Sequence, residues 1–279
     1  MLNFAVTNSI INMRNTLSIF FILFFSITTF GQSCQLFTTN SKLSSSLINK
    51  IYQDRNGMIW IATEDGLNKY DGVKFTVYKH KKDDEHSLCH NYVRTLFEDS
   101  KGNLIIGTYT GIQMYDPATD RFTPQARWEN GDLFDSNIIA ILERQNGEIW
   151  VSGNILCKLI IKKEKLVVKM LNLPIATTST DYMIEDKKRN IWITKGENGI
   201  YKISDKKKVT HYLKDEKGIT IVDFCEDLNG NIYVGTMGKG LFVYDQLSDS
   251  FKPIPYKGKQ NLPIKSLYPD NQNRSEERR

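Results

Sequence analysis

The chain has 279 residues, 40% of them apolar and 25% charged, enough to bury a sizeable core and unlike a disordered or fibrous sequence. Its formal net charge of +5 is a weak excess. The lysines fall in short runs ("HKKDDE", "IKKEK", "DKKR", "DKKKV") at expected turns and outer strands, where Lys guards sheet edges. Nucleic-acid binding would require one basic face interleaved with aromatics, and it is not expected.

In chain order, the first element is the apolar segment Thr16–Phe30 ("TLSIFFILFFSITTF"), too short to span a bilayer and suited to the core of a secretory leader. No basic residue precedes Met13, whereas Met13-Arg14 would open a conventional leader, so translation is expected to start there. Residues 1–33 therefore read as a signal peptide, cleaved near Gly31–Ser33, and the remainder as periplasmic or otherwise extracytoplasmic. Membrane attachment would come only through an uncleaved leader or through C-terminal parts. Cys34 lacks the Leu-x-x pattern that precedes a lipoprotein cysteine.

From residue 44 onward the chain repeats itself. "QDRNGMIWIATEDGLNKYDG", "EDSKGNLIIGTYTGIQMYDP", "ERQNGEIWVSGN", "EDKKRNIWITKGENGIYKI" and "EDLNGNIYVGTMGKGLFVYD" align on Gly57, Gly102, Gly147, Arg189 and Gly230, at intervals of 45, 45, 42 and 41 residues. A sixth opening, "KSLYPDNQN", follows. Each unit has an apolar run, an Asp-x-x-Gly turn, a β-branched and aromatic run, a Gly-containing turn, a run ending Tyr-Asp, and a last aromatic-bearing strand. Four short strands per period, apolar on both faces, define a blade of a β-propeller, because stacked blades cover both faces of each sheet.

The expected fold is all-β: five blades near 44–80, 88–125, 134–171, 178–213 and 218–256, with a partial sixth at 262–273 in an incomplete ring. The propeller region is 34–273. Residues 274–279 ("RSEERR") form a charged tail where a strand is anticipated, as though a longer protein were truncated there.

Asp54-x-x-Gly57 is expected to be a hairpin turn, since Arg55 and Met58 interrupt the oxygen-ligand spacing of a calcium loop. Cys34, Cys89, Cys157 and Cys225 share no spacing, so neither a metal centre nor a disulfide framework is expected. Cys225 reads as a small buried hydrophobe, and Trp60, Trp150 and Trp192 as mid-strand core. No cofactor is implied.

The stretch "LSSSLINKIYQDRNGMIWIATEDGLNKYDGVKFTVYKH" resembles the two-component regulator propeller repeat, as does "DDEHSLCHNYVRTLFEDSKGNL" with Ser87, Leu88 and Asn91. Such repeats fill the periplasmic sensor regions of Bacteroidetes hybrid two-component histidine kinases. The third unit departs ("NILCKLIIKKEKL"), and the fourth has "GIYKIS" in place of Tyr-Asp. The resemblance implies sensing of an oligosaccharide or other small ligand, in a chain without kinase sequence and so non-catalytic as given. Propellers of that family are usually seven-bladed, so a shorter ring is expected to expose an unpaired blade face.

A propeller gathers loops at one end of its axis. On that face the candidate ligand-binding residues are Asn91, Tyr109, Asn154, Lys195, Glu197 and Lys239, with an aromatic ring to stack on a sugar and cations to meet an acidic one. No catalytic residue is identified. Two other function classes stay open: a secreted propeller glycosidase, whose paired carboxylates do not stand out, and a protein-interaction platform docking a second propeller or dimer mate.

Overall fold

The second strand of each unit is a run rich in β-branched and aromatic residues, and burial on both faces turns it into a sheet centre. Ile59–Thr63, Leu104–Thr108, Ile149–Ser152, Ile191–Thr194 and Ile232–Thr236 are almost wholly buried. The computed structural model divides the chain into two units, Met1–Phe37 and Thr38–Arg279. It describes residues 36–38, 42–163, 165–173, 182–194, 199–206, 208–214, 218–255 and 263–267, with the backbone of 268–269 and 275–277. The expected leader and Cys34 lie outside the described residues.

In the second unit the first sheet runs β1 (Ile48–Gln53), β2 (Ile59–Thr63), β3 (Gly66–Tyr70), β4 (Phe75–Tyr78). The second is β5 (Val93–Glu98), β6 (Leu104–Thr108), β7 (Ile112–Asp116), β8 (Arg121–Phe122). The third holds β10 (Ala140–Glu143), β11 (Ile149–Ser152), β12 (Leu156–Lys162), β13 (Lys165–Met170), and on its outer edge β9 (Arg127–Trp128). The fourth is β14 (Met183–Glu185), β15 (Ile191–Thr194), β16 (Ile200–Ile203), β17 (Val209–Tyr212), and the fifth β18 (Ile221–Glu226), β19 (Ile232–Thr236), β20 (Gly240–Asp245), β21 (Ser250–Ile254). A last pair, β22 (Leu267–Pro269) and β23 (Ser275–Glu277), follows. Within each sheet, β9 apart, strands adjacent in sequence pair antiparallel, and the first strand of each sheet packs on the first strand of the next, from β1 to β5 through to β18 and β22. Among the described residues there is no helix. The fold is a β-propeller.

One expectation is corrected. The third sheet gains a fifth strand because β9 pairs parallel to β13, Val167 opposite Arg127. The edge left by the aberrant third unit is thereby covered. At the end of the described chain the backbone of β23 pairs with β22, Leu267 opposite Glu277.

The Asp-led turns are built by their own carboxylates. Asp54 Oδ1 accepts from the Asn56 and Met58 amides at 2.9 and 3.0 Å, and its Oδ2 from Trp60 Nε1 at 2.8 Å. Asp186 repeats this with Lys188, Asn190 and Trp192. With the oxygens filled by N–H donors, the motif is a turn and a tryptophan anchor rather than a cation loop. The residue closing it lies at positive φ: Gly57 at 82°, Gly102 at 91°, Gly147 at 78°, Gly230 at 82°, but Arg189 at 64°.

The glutamate before the Asp, or before Arg144 in the third repeat, clamps one sheet to the one before it. Glu98 accepts from the Arg55 amide at 3.0 Å, Glu143 from Ser100 at 2.6 Å and Glu226 from Lys187 at 3.0 Å, while Glu185 takes Gln145 and the Arg144 guanidinium. Each pair joins neighbouring repeats, so the clamp is a tertiary contact written once per period.

Candidate functional site

In the first, second and fifth sheets the turn between the second and third strands is closed by a buried hydroxyl. Thr63, Thr108 and Thr236 are all inaccessible to solvent. Thr63 Oγ1 donates to the Gly66 carbonyl at 2.8 Å, Thr108 to Gly111 at 3.1 Å and Thr236 to Gly240 at 2.7 Å. The incoming connection binds the same turns, through Gly66 N to Asn91 O, Tyr109 N to Tyr92 O and Met237 N to Thr220 O. Turns and connections therefore share one face, held rigid from beneath.

On that face the first two sheets assemble a polar, aromatic cluster. Tyr109 is 52% exposed, and its ring lies 5.5 Å from that of His90 and 6.0 Å from that of Tyr92. Tyr92 donates to Glu64 Oε1 at 3.2 Å, and the Arg94 guanidinium stands 5.5 Å from its ring. Burial, helped by His80, pulls the His90 pKa below the ordinary histidine range, so its ring is neutral near pH 7. Asn91 accepts the His80 amide at 2.7 Å and donates to Asp65, which also holds Lys79 at 2.6 Å.

Of the candidate residues, Asn91 and Tyr109 thus belong to one cluster. Asn91 is largely engaged in joining the first sheet to the second, whereas Tyr109 offers a free ring face. Asn154 is exposed on the corresponding turn of the third sheet, its amide 3.3 Å from Ser136 Oγ, and Lys239 sits on that of the fifth, its amide bonded to Thr236. Lys195 and Glu197 lie outside the described residues. Sequence reasoning missed Tyr92 and Arg94. Tyr92 had a readable signal, an aromatic where Leu47, Asn137 and Thr220 stand in other repeats.

Beside this cluster a groove of about 530 Å³ is lined by His80, Ser87, Cys89, Gln113 and Gln125. Cys89 is no nucleophile, because burial pushes its thiol up to about 11 against the hydrogen bond it shares with Thr108. Gln113 is fully occupied, accepting from the Cys89 amide and donating to the Ser87 and Thr123 carbonyls. Neither group is positioned for chemistry. An exposed tyrosine flanked by imidazole, amide, carboxylate and guanidinium can instead stack a ring and bond its hydroxyls.

A propeller of four-stranded blades with a rigid turn face is the class that fold and site define. More particularly, two stretches of the chain, residues 42–65 and 87–110, match the family model described as "Two component regulator propeller". A histidine kinase of Formosa agariphila is 35% identical over 83 residues, 27% of this chain and 6% of the kinase. The extracellular domain of a hybrid two component system from B. thetaiotaomicron superposes with a TM-score of 0.65 at 19% identity, over 83% of this chain and 36% of that one. A virginiamycin B lyase from Staphylococcus aureus gives 0.60 at 16%, over 88% and 87%. At such identities the structural likeness is one of fold, and the same fold serves a sensor and a lyase.

Proposed function

We propose that this chain is the ligand-sensing propeller region of an extracytoplasmic two-component sensor, and that its ligand is an oligosaccharide bound across the turn face. The repeat match and the kinase relative support the sensor class. The observation carrying the ligand class is the exposed Tyr109 ring packed on His90 and Tyr92. Rings of this kind stack on sugar faces, while Glu64, Asn154 and Lys239 stand on the same face to meet hydroxyls. These 279 residues hold repeats and no kinase domain, so the region recognises and does not catalyse.

A glycan array probed with the purified chain, followed by calorimetry on the hits, tests the reading. Tyr109→Ala should weaken binding about tenfold, the loss of one stacked ring. A chain that binds no glycan, or a Tyr109→Ala variant that binds as tightly as the parent, overturns it.

One observation favours a second reading, a platform docking a blade of a second copy of this chain. Val93 and Leu96 of β5 are 0% and 3% exposed against the first sheet, whereas their counterparts in β1, Ile48 and Ile51, are 45% and 58% exposed. Light scattering at rising concentration decides: self-association abolished by Ile51→Lys supports the platform, and a monomer throughout rejects it.

A further inference from the structure

A cavity of about 390 Å³ opens between the fourth and fifth sheets, at the Asp-led turns and so at the opposite strand ends from the turn face. Three ammonium groups, Lys187, Lys188 and Lys202, border it together with the carboxylates of Asp186 and Glu226. Both carboxylates are already engaged. Asp186 accepts from the amides of Lys188 and Asn190 and from Trp192 Nε1, at 2.8 to 2.9 Å, and Glu226 accepts the Lys187 amide at 3.0 Å. The cations likewise hold only neutral partners. Lys187 Nζ donates to the Asp227 and Leu228 carbonyls, Lys188 to the Gln246 side chain, and Lys202 to Tyr244 OH at 2.9 Å. Among the described residues, no carboxylate forms an ion pair with any of the three.

The first junction shows what a closed version looks like. There Lys69 occupies the place of Lys202, opposite Trp60 as Lys202 is opposite Trp192. It is ion-paired with Asp120 at 2.7 Å and bonded to Tyr115 at 2.8 Å. Met58, four residues after Asp54, packs into the apolar cluster around Trp60, whereas the polar Asn190 stands four residues after Asp186. The fourth and fifth sheets thus keep the lysine and its tyrosine, lack the ion pair, and have cavity where the first junction has side chain.

We propose that this cavity binds a small oxyanion, the carboxylate or sulfate group of an acidic ligand, with Lys202 at its base and Lys188 at its rim. Two directed ammonium groups, Lys202 half-buried and Lys188 exposed, give charge-assisted hydrogen bonds to such a group. The Asn190 and Asn229 side chains line the remainder. Burial, reinforced by Lys188 and Lys208, holds Lys202 below the ordinary lysine range against the pull of Asp249 and Asp186, and a bound anion relieves it. The site is independent of the sugar-binding reading, because it lies on another face and uses none of its residues.

Trp192 is the reporter, its ring lying 5.0 Å from Lys202 Nζ. The purified chain, ¹⁵N-labelled and with the Trp192 indole resonance assigned through Trp192→Phe, is titrated with sodium sulfate, sodium glucuronate and glucose at constant ionic strength. Sulfate, glucuronate or both should shift the indole resonance saturably in the millimolar range, and glucose should not. Response to sulfate alone marks a sulfate-ester ligand, to glucuronate alone a carboxylate, and to both a general oxyanion site. Lys202→Gln and Lys188→Gln should each weaken binding about tenfold, while the exposed Lys74→Gln leaves it unchanged. Should Lys202→Gln fail to fold, the exposed Lys188 variant decides alone. An indole that responds to neither anion, an equal response to glucose, or undiminished binding in the lysine variants overturns the proposal.

Discussion

Two junctions between sheets solve the same packing problem with the same five residues. Between the first and second sheets, Asp120 accepts from Tyr78 OH at 2.6 Å and Tyr115 OH at 2.5 Å above the Trp60 ring. Between the fourth and fifth, Asp249 accepts from Tyr212 at 2.6 Å and Tyr244 at 2.5 Å above Trp192. Both tryptophans are fully buried, and Tyr115 and Tyr244 meet them edge-on at 4.7 and 4.8 Å. The junction between the second and third sheets has Ile105 and Met114 where the others have Trp and Lys. Its core is a continuous apolar cluster, and beside Phe97 of β5 its aromatics come from the connecting segment, Phe134 and Trp128 packed edge-on at 5.1 Å. A repeat can therefore lose its polar signature and still pack, provided a neighbouring segment supplies the missing bulk.

The most severe test of that equivalence removes the bulk. Trp60→Ala and Trp192→Ala should each cost about 4 kcal/mol and Ile105→Ala about 3 kcal/mol in urea unfolding, in keeping with large-to-small core changes. A Trp192→Ala variant losing less than about 1 kcal/mol would break the comparison, since the two rings could not then be doing the same job.

The third sheet supplies the next contrast. Arg144 stands where Asp54, Asp99, Asp186 and Asp227 stand in the other repeats. Its guanidinium lies 5.0 Å from the Trp150 ring and pairs with Glu185, whose side chain is only 4% exposed, at 2.8 Å. Arg144→Ala should cost about 3 kcal/mol, because it strands a buried carboxylate. Arg144→Asp, the substitution that makes the repeat regular, should cost more, by setting two carboxylates together. If restoring the consensus stabilised the protein, the departure would be accidental rather than compensated.

These residues also show which features a sequence discloses. The Asp-led turn was legible because its donors lie within six residues of the Asp, and period-long recurrence made the strands and their buried tryptophans legible too. The glutamate clamps were visible as letters at Glu98, Glu143, Glu185 and Glu226, but their partners lie about one repeat away, so their role needed the fold. Strand β9, two residues long and parallel, carries no local signal, since tertiary pairing alone makes Arg127–Trp128 a strand. Of the candidate site, Tyr109 could be named from its turn, yet its union with His90 and Tyr92 depends on how the connection crosses that turn.

Acid should separate the junctions more gently. Burial tends to raise the Asp120 pKa, but hydrogen bonds from Lys69, Tyr115 and Tyr78 hold it down to about 2, below its unfolded value near 3.9. A carboxylate depressed in the folded state stabilises above the unfolded pKa and loses that contribution as pH falls through the folded one. Stability should therefore drop between about pH 4 and pH 2, and Asp120→Asn, costing about 1 to 2 kcal/mol at pH 7, should flatten that limb. Asp249 is likewise held down by Tyr212 and Tyr244, without a lysine ion pair, so Asp249→Asn should cost less at pH 7. Equal losses for the two would remove the distinction drawn between Lys69 and Lys202.

The smallest effect concerns one backbone angle. Arg189 takes φ of 64° at the position where four other repeats use glycine at 78° to 91°. For an L side chain that region costs roughly 1 to 2 kcal/mol, while glycine there forfeits about 0.5 to 1 kcal/mol through the larger freedom of its unfolded chain. The Arg189 side chain is exposed, so little packing is lost with it. Arg189→Gly should therefore stabilise by about 0.5 to 1 kcal/mol and raise the Tm by about 2 °C, whereas Gly57→Ala, at the same place in the first repeat, should lower it by a similar amount. A calorimetric scan in which Arg189→Gly melts lower than the parent would mean that the arginine contributes something at the fourth turn that the other four turns do without.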